Sequence, residues 1–293
     1  MAAAVQILAA GVLALLMVAV GLAVSADSLR RLAASPARIG GLLVGQLLLV
    51  PMVGVLLAMV ADGFGAGPRV VAWILILAAC PGGALSNAIV LYGRGDVTLS
   101  VAMTAASSLL ASITMPIVLV SCRSAGLLPE LSVPGPRLFV ATLLLLLVPC
   151  LAGMAIASRC PAKVPVLARF AGRTGSGLLL IALGMSIWHH RETVLETWWL
   201  ATSAAVGFVG LGGGLGGAMA AVARLGSSGR FAVATEFGVR NVAVALAVAT
   251  LSTDAGGFAG FGAVYLFVEV LLLGGIAHLR RRRVPATVAA GEP

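Results

Sequence analysis

Long, uninterrupted apolar runs constrain this sequence more than any other feature. Val5–Val24 and Leu138–Ile156 contain no charged residue, and each is close to the ~20 residues that a helix needs to cross a bilayer. Charged residues make up only 10% of the 293-residue chain, against about 25% in soluble domains. Such a surface is suited to lipid. The short alternating segments of a transmembrane barrel are absent, so the sequence predicts an all-α, polytopic membrane protein forming a single domain over 1–293.

Apolar runs between polar or Pro/Gly breaks predict nine spans, near 5–24, 38–60, 69–92, 97–121, 138–157, 171–189, 198–222, 230–251 and 258–279. The first run lacks a basic leader and its apolar core is too long for a secretory signal, so it reads as a retained span. With the N-terminus outside, 14 of the 19 basic residues fall in cytoplasmic segments, 4 outside, and Arg240 inside a span. This excess predicts nine spans in the plasma membrane, N-terminus outside and C-terminus cytoplasmic, with 284–293 a disordered tail. The net charge of +9 therefore marks the cytoplasmic face, since no aromatic platform accompanies it as nucleic-acid binding would need. The four cysteines, Cys80, Cys122, Cys150 and Cys160, show neither metal-ligand nor disulfide-framework spacing.

Two spans are interrupted, one at Pro81-Gly82-Gly83 and one around Glu236-Phe237-Gly238-Val239-Arg240-Asn241. They lie five spans apart, so the units around them (spans two to four and seven to nine) form an inverted repeat. Paired broken helices in such repeats build midplane binding sites in secondary transporters. A proline break frees carbonyls that lipid cannot satisfy, so these must face protein, water or an ion. Ser86 and Asn87 follow the first break, and Ser100 and Thr104 share one helical face in the next span. All four carry oxygens that can hold a small cation. A single hydroxyl in a membrane helix usually bonds back to its own preceding turn; four beside a broken helix point further. Glu236 costs about 2.5–3.5 kcal/mol at a helix centre, so it faces the interior, either as cation ligand or proton carrier or as the ion-pair partner of Arg240.

Cys80-Pro81-Gly82-Gly83-Ala84-Leu85-Ser86-Asn87, Gly95-Asp96-Val97-Thr98-Leu99-Ser100-Val101-Ala102-Met103-Thr104 and Glu236-Phe237-Gly238-Val239-Arg240-Asn241 together resemble the signatures of the bile acid:sodium symporter family, in its nine-span form. The resemblance extends over nearly the whole chain. It implies a core domain (38–121 and 198–279) whose two broken helices cross, beside a panel domain (5–24 and 138–189). It further implies a first sodium site at Ser86, Asn87, Ser100, Thr104 and Glu236. A second site would use Gln46, Glu236 and the carbonyls of Phe237 and Val239. Its remaining ligand is normally a glutamine, and here the sequence departs from the family, because that position is Arg240.

A guanidinium offers five donors and no acceptor, so it cannot ligate sodium. At 4 Å it would repel the ion by about 4 kcal/mol at an effective dielectric of 20. Arg240 thus reads as a built-in cation at the second site, as a structural partner of Glu236 or of the intramembrane Glu269, or as a fork for a substrate carboxylate or sulfonate. The expected function is sodium-coupled uptake of a small organic anion, with Na+ as the coupling ion and no other cofactor, no transition metal and no catalysis. A sodium-independent carrier and a non-transporting membrane receptor or scaffold are the competing readings. The glycine-rich run 210–217 predicts close helix packing, Trp198-Trp199 an interfacial anchor, and Arg280–Arg283 contact with anionic lipid.

Overall fold

The computed structural model describes residues 2–24, 30, 35–128, 134–252 and 255–284, so the expected tail at 284–293 lies outside the described residues from 285 on. Every regular element among them is helical. The helices are α1 (Ala2–Ala23), α2 (Pro36–Gly63), α3 (Gly67–Ala79), α4 (Ala84–Tyr92), α5 (Val97–Ser124), α6 (Gly135–Arg159), α7 (Val164–His189), α8 (Arg191–Val222), α9 (Ser227–Gly238), α10 (Val242–Ser252) and α11 (Ala255–Arg283). Among the described residues, seven segments are long and apolar enough to cross a membrane, α9 and α10 counting as one, and the bent pair α3–α4 makes an eighth. The expected ninth, α1, is a 22-residue apolar helix, and the full count depends on it.

Prolines shape the straight spans. Pro51 and Pro149 each lie just past a π-helical turn, Gly45–Leu49 in α2 and Leu143–Leu147 in α6. A proline cannot donate to the carbonyl four residues back and its ring clashes with it; the wide turn takes up that mismatch within a continuous helix. In α2 the same turn carries Gln46, which is 1% exposed.

Helix α1 packs on α6, α7 and α10. Its contact with α6 is backbone-close: a Cβ on Gly21 would lie 2.1 Å from the Cys150 carbonyl oxygen, and one on Gly153 2.4 Å from that of Val18. Neither backbone can yield, so Gly153→Leu is expected to force α1 and α6 apart. Overpacking of this kind costs about 1–3 kcal/mol or more, which a lower melting temperature and loss of a monodisperse elution peak would report.

The broken span differs sharply from the peripheral ones. Over Ser227–Leu251, 89% of the most apolar window is buried, against 17% for the span that contains α7. The latter turns Leu180 and Ile181 outward, each more than 60% exposed, as a lipid-facing surface requires. At the molecular centre α3 packs on α10, α4 packs on α9, and α5 packs on both α4 and α9. The two broken spans therefore cross at their breaks, and the flanking helices α2, α5, α8 and α11 enclose them. The glycine run of α8 supports this crossing. A Cβ on Gly216 would come within 2.7 Å of Phe237 Cβ and 2.8 Å of the Val233 carbonyl oxygen, so α9 lies directly against α8.

Candidate functional site

Pro81 sets the first break. The residue before a proline is pushed into extended conformation, and Cys80 takes φ −70°, ψ 148°. The chain leaves α3 there, turns through residues 80–83 and starts α4 at a 66° angle. In the second span Glu236, Phe237 and Gly238 still belong to α9, and only residues 239–241 leave the helix. This break is shorter than the motif suggested. Asn241 ends it by capping α10: its Oδ1 accepts from the Val244 N–H at 3.2 Å, as N-cap asparagines do. Asp96 caps α5 in the same way, accepting from the Leu99 N–H at 2.9 Å, so that residue of the second motif positions Ser100 and Thr104.

The backbone groups freed at one break are met by the other. Asn241 N–H donates to the Pro81 carbonyl at 3.2 Å. The Arg240 guanidinium donates through Nη1 to the Cys80 carbonyl at 2.9 Å, and through Nη2 to the carbonyls of Phe237 at 2.9 Å and Glu236 at 3.2 Å. One cationic fork thus staples both broken helices. Its hydrogen bonds go to carbonyls and not to a carboxylate, which narrows the three readings of Arg240. Glu269 of α11 contributes differently, its Oε1 accepting the backbone N–H of Arg240 at 2.8 Å. Arg240, Glu236 and Glu269 are the charged residues buried among the described residues, at 2%, 0% and 0% exposure.

The side chains expected at the first ion site converge. Ser86 Oγ lies 2.5 Å and Thr104 Oγ1 3.0 Å from Glu236 Oε2. Asn87 Oδ1 accepts from Ser100 Oγ at 2.7 Å and lies 3.3 Å from Thr104 Oγ1. Three elements, α4, α5 and α9, therefore bring five oxygen-bearing side chains to one point. Hydroxyl, amide and carboxylate oxygens are the donor set of a hard cation. Two buried oxygens, Glu236 Oε1 and Gln46 Oε1, have no hydrogen-bond partner.

Gln46 Nε2 reaches the Glu236 carbonyl at 3.3 Å, which brings α2 to the crossing. Of the two carbonyls expected at the second site, that of Phe237 is bonded by Arg240. Gly82 completes the wall: a Cβ there would fall 2.2 Å from Glu236 Oε1 and 3.0 Å from Gln46 Nε2. Gly82→Ala is therefore expected to displace the carboxylate from Ser86 and Thr104; on the reading of this cluster as a cation site, it raises at least tenfold the sodium concentration that gives half-maximal thermal stabilisation.

A cavity of about 690 Å³ opens beside the crossing, between α1 and α7 on one side and α4, α10 and α11 on the other. Its walls are apolar, with Met17, Leu183 and Phe267 among them, while Arg240 and Asn241 line it from the second break. Gly83 and Ala84 at the start of α4 and Val242 and Ala243 at the start of α10 also border it. Two helix N-termini, which favour anions, thus adjoin one hollow.

Sequence reasoning missed three participants. The Cys80 carbonyl left no mark in the sequence, since any residue carries one. The function of Gly82 as a bare wall was equally hidden behind its function as a helix breaker. Tyr265, one turn before Glu269 and fully buried with no hydrogen-bond partner for its hydroxyl, could have been found from its four-residue spacing.

The Sodium Bile acid symporter family matches residues 10–190. The chain is 34% identical over 140 residues to a sodium-dependent organic anion transporter of Mus musculus, covering 47% of this chain and 36% of that protein. An ileal sodium/bile acid cotransporter of Oryctolagus cuniculus is 30% identical over 149 residues, 50% of this chain and 42% of its own length. An uncharacterized sodium-dependent transporter of Bacillus subtilis is 25% identical over 238 residues, 81% of this chain and 72% of its own. The chain therefore spans about a third of the length of the mouse relative that it matches.

Proposed function

The chain belongs to the sodium bile acid symporter family, a family of membrane transporters and not of enzymes, and from that premise we propose that it carries a small organic anion across the membrane with sodium as the coupling ion. One observation carries the reading: Ser86, Asn87, Ser100, Thr104 and Glu236, drawn from α4, α5 and α9, meet in a single cluster of oxygens beside the crossing. A sodium ion held there ties together three helices that otherwise touch only through neutral contacts and one carboxylate. It would fix α4 and α9, and so the two helix starts that border the cavity.

At the second position the Arg240 guanidinium stands in for an ion. It bonds the Phe237 carbonyl that a sodium would use, and it carries the same unit charge. One sodium per cycle follows. The cavity of about 690 Å³ falls within the ~300–1,000 Å³ of sites for small organic ligands; its apolar walls suit the hydrocarbon part and the α4 and α10 N-termini the anionic group. In this reading 38–121 and 198–279 form the core, 5–24 and 138–189 the panel, and rocking between them gives alternating access. The N-terminus lies outside and the C-terminus, with Arg280–Arg283 in the last turn of α11, faces the cytoplasm of the plasma membrane.

The placement of Arg240 also favours a second reading, a sodium-independent carrier in which the resident guanidinium replaces coupling ions altogether. Melting of purified protein in sodium against potassium chloride decides between them. A ligand that binds only the folded state raises its stability by RT ln(1 + [L]/Kd), about 2.7 kcal/mol at a hundredfold excess over Kd. Sodium-specific stabilisation that saturates supports coupling; identical melting in both salts contradicts it.

A further inference from the structure

Glu269 is a buried carboxylate that the cation cluster does not use. Its Oε1 accepts the Arg240 backbone N–H at 2.8 Å, its Oε2 has no hydrogen-bond partner, and it is 0% exposed. The titratable groups around it are Arg240, on the second break, Tyr265, one turn earlier on α11, and Cys80, at the first break. The guanidinium directs its Nη donors to three neutral carbonyls, while its buried Nε has no partner, so the charge is solvated without being cancelled. The Glu236 carboxylate is turned toward Ser86 and Thr104. A buried cation without a nearby opposite charge is severely destabilising, so Arg240 needs a counter-charge.

We propose that Glu269 is that counter-charge, and that the three buried charges together set the number of sodium ions at one. The deduction rests on the sodium-coupled reading above. Two carboxylates and one guanidinium leave one negative charge at the crossing, and a single sodium neutralises it. Glu269 acts through Arg240 as a positioning residue and does not itself ligate the ion. Its structural contribution alone would need only an acceptor for the Arg240 N–H, and a glutamine at 269 supplies that acceptor. Its electrostatic contribution needs the charge. Glu269→Gln therefore separates the two, and Glu269→Asp keeps the charge while shortening the reach.

The test uses purified full-length protein as wild type, Glu269→Gln, Glu269→Asp, Arg240→Gln and Arg240→Gln/Glu269→Gln. Melting is recorded first in sodium-free buffer and then against rising sodium chloride. Without sodium, the double variant is expected to melt closer to wild type than the sum of the single losses allows, because it removes both charges together. With sodium, Glu269→Gln leaves a neutral crossing and needs at least tenfold more sodium for half-maximal stabilisation, and Glu269→Asp restores much of this. Arg240→Gln leaves two negative charges and binds two ions, and the double variant returns to one.

Additive single losses, together with unchanged sodium dependence in Glu269→Gln, overturn the proposal while leaving sodium coupling intact. Strong coupling between the two sites in a wild type that ignores sodium contradicts the sodium reading and the ion count, and leaves the charge partnership standing. If Glu269→Gln does not fold, the double variant carries the test: two sodium ions there, as in Arg240→Gln alone, overturn the proposal.

Discussion

Glu236→Gln is expected to abolish sodium-driven uptake, by at least about a hundredfold, or about 2.7 kcal/mol of transition-state free energy, while leaving the fold intact. The carboxylate is the anionic member of the five-residue cluster, and Ser86 and Thr104 both lie within 3.0 Å of its Oε2. A glutamine keeps the shape and one acceptor for those hydroxyls but removes the charge proposed to bind the ion. It also relieves the chain of a carboxylate that costs about 2.5–3.5 kcal/mol at a helix centre. Melting in sodium-free buffer is therefore expected to hold or rise as uptake collapses. A purely structural Glu236 would give the opposite pattern, lower stability with uptake reduced only in proportion to the folded protein remaining.

Arg240→Gln is expected to raise the sodium Hill slope of uptake from about one toward two, in keeping with the replacement of one fixed charge by one exchangeable ion. The guanidinium holds the carbonyls of Cys80, Glu236 and Phe237. Glutamine returns an acceptor to the second site beside Gln46, whose Nε2 already touches the Glu236 carbonyl. The same change leaves the Cys80 carbonyl without its donor, and an unsatisfied buried acceptor costs about 1–3 kcal/mol. Lower stability in sodium-free buffer, recovered as sodium is added, is the accompanying signature. An unchanged Hill slope at undiminished uptake would show that Arg240 does not stand in for an ion.

The sequence made the breaks and the convergence of the polar side chains at the crossing readable for local reasons. Pro81 dictates its own extended neighbour, Asp96 its own cap, and the four-residue spacing of Ser100 and Thr104 puts both on one face. Each of these follows from a few consecutive residues. The three long-range features did not follow. Arg240 could have met Glu236, Glu269 or a substrate, and its actual partners are backbone carbonyls, which every residue carries. Glu269 lies 29 positions from the N–H it accepts, a distance that no periodicity spans. Gln46 was expected near the crossing only through the family resemblance, because it owes its place to a π-helical turn ahead of Pro51, and a fractional change of helical register is invisible to an apolar pattern. The membrane-crossing segments, by contrast, were legible because lipid imposes one requirement on every one of them, with most ends within about four residues and the starts of α7 and α8 seven residues earlier than expected.

Transport itself gives the most direct test of the central claim. Purified protein in proteoliposomes, offered a panel of labelled organic anions, is driven separately by an inward sodium gradient, an inward lithium gradient and an inward proton gradient at equal potential. The account predicts uptake with the sodium gradient, a Hill slope near one, and none with protons alone. Uptake driven by the proton gradient alone, or equal uptake with no sodium on either side, would contradict it.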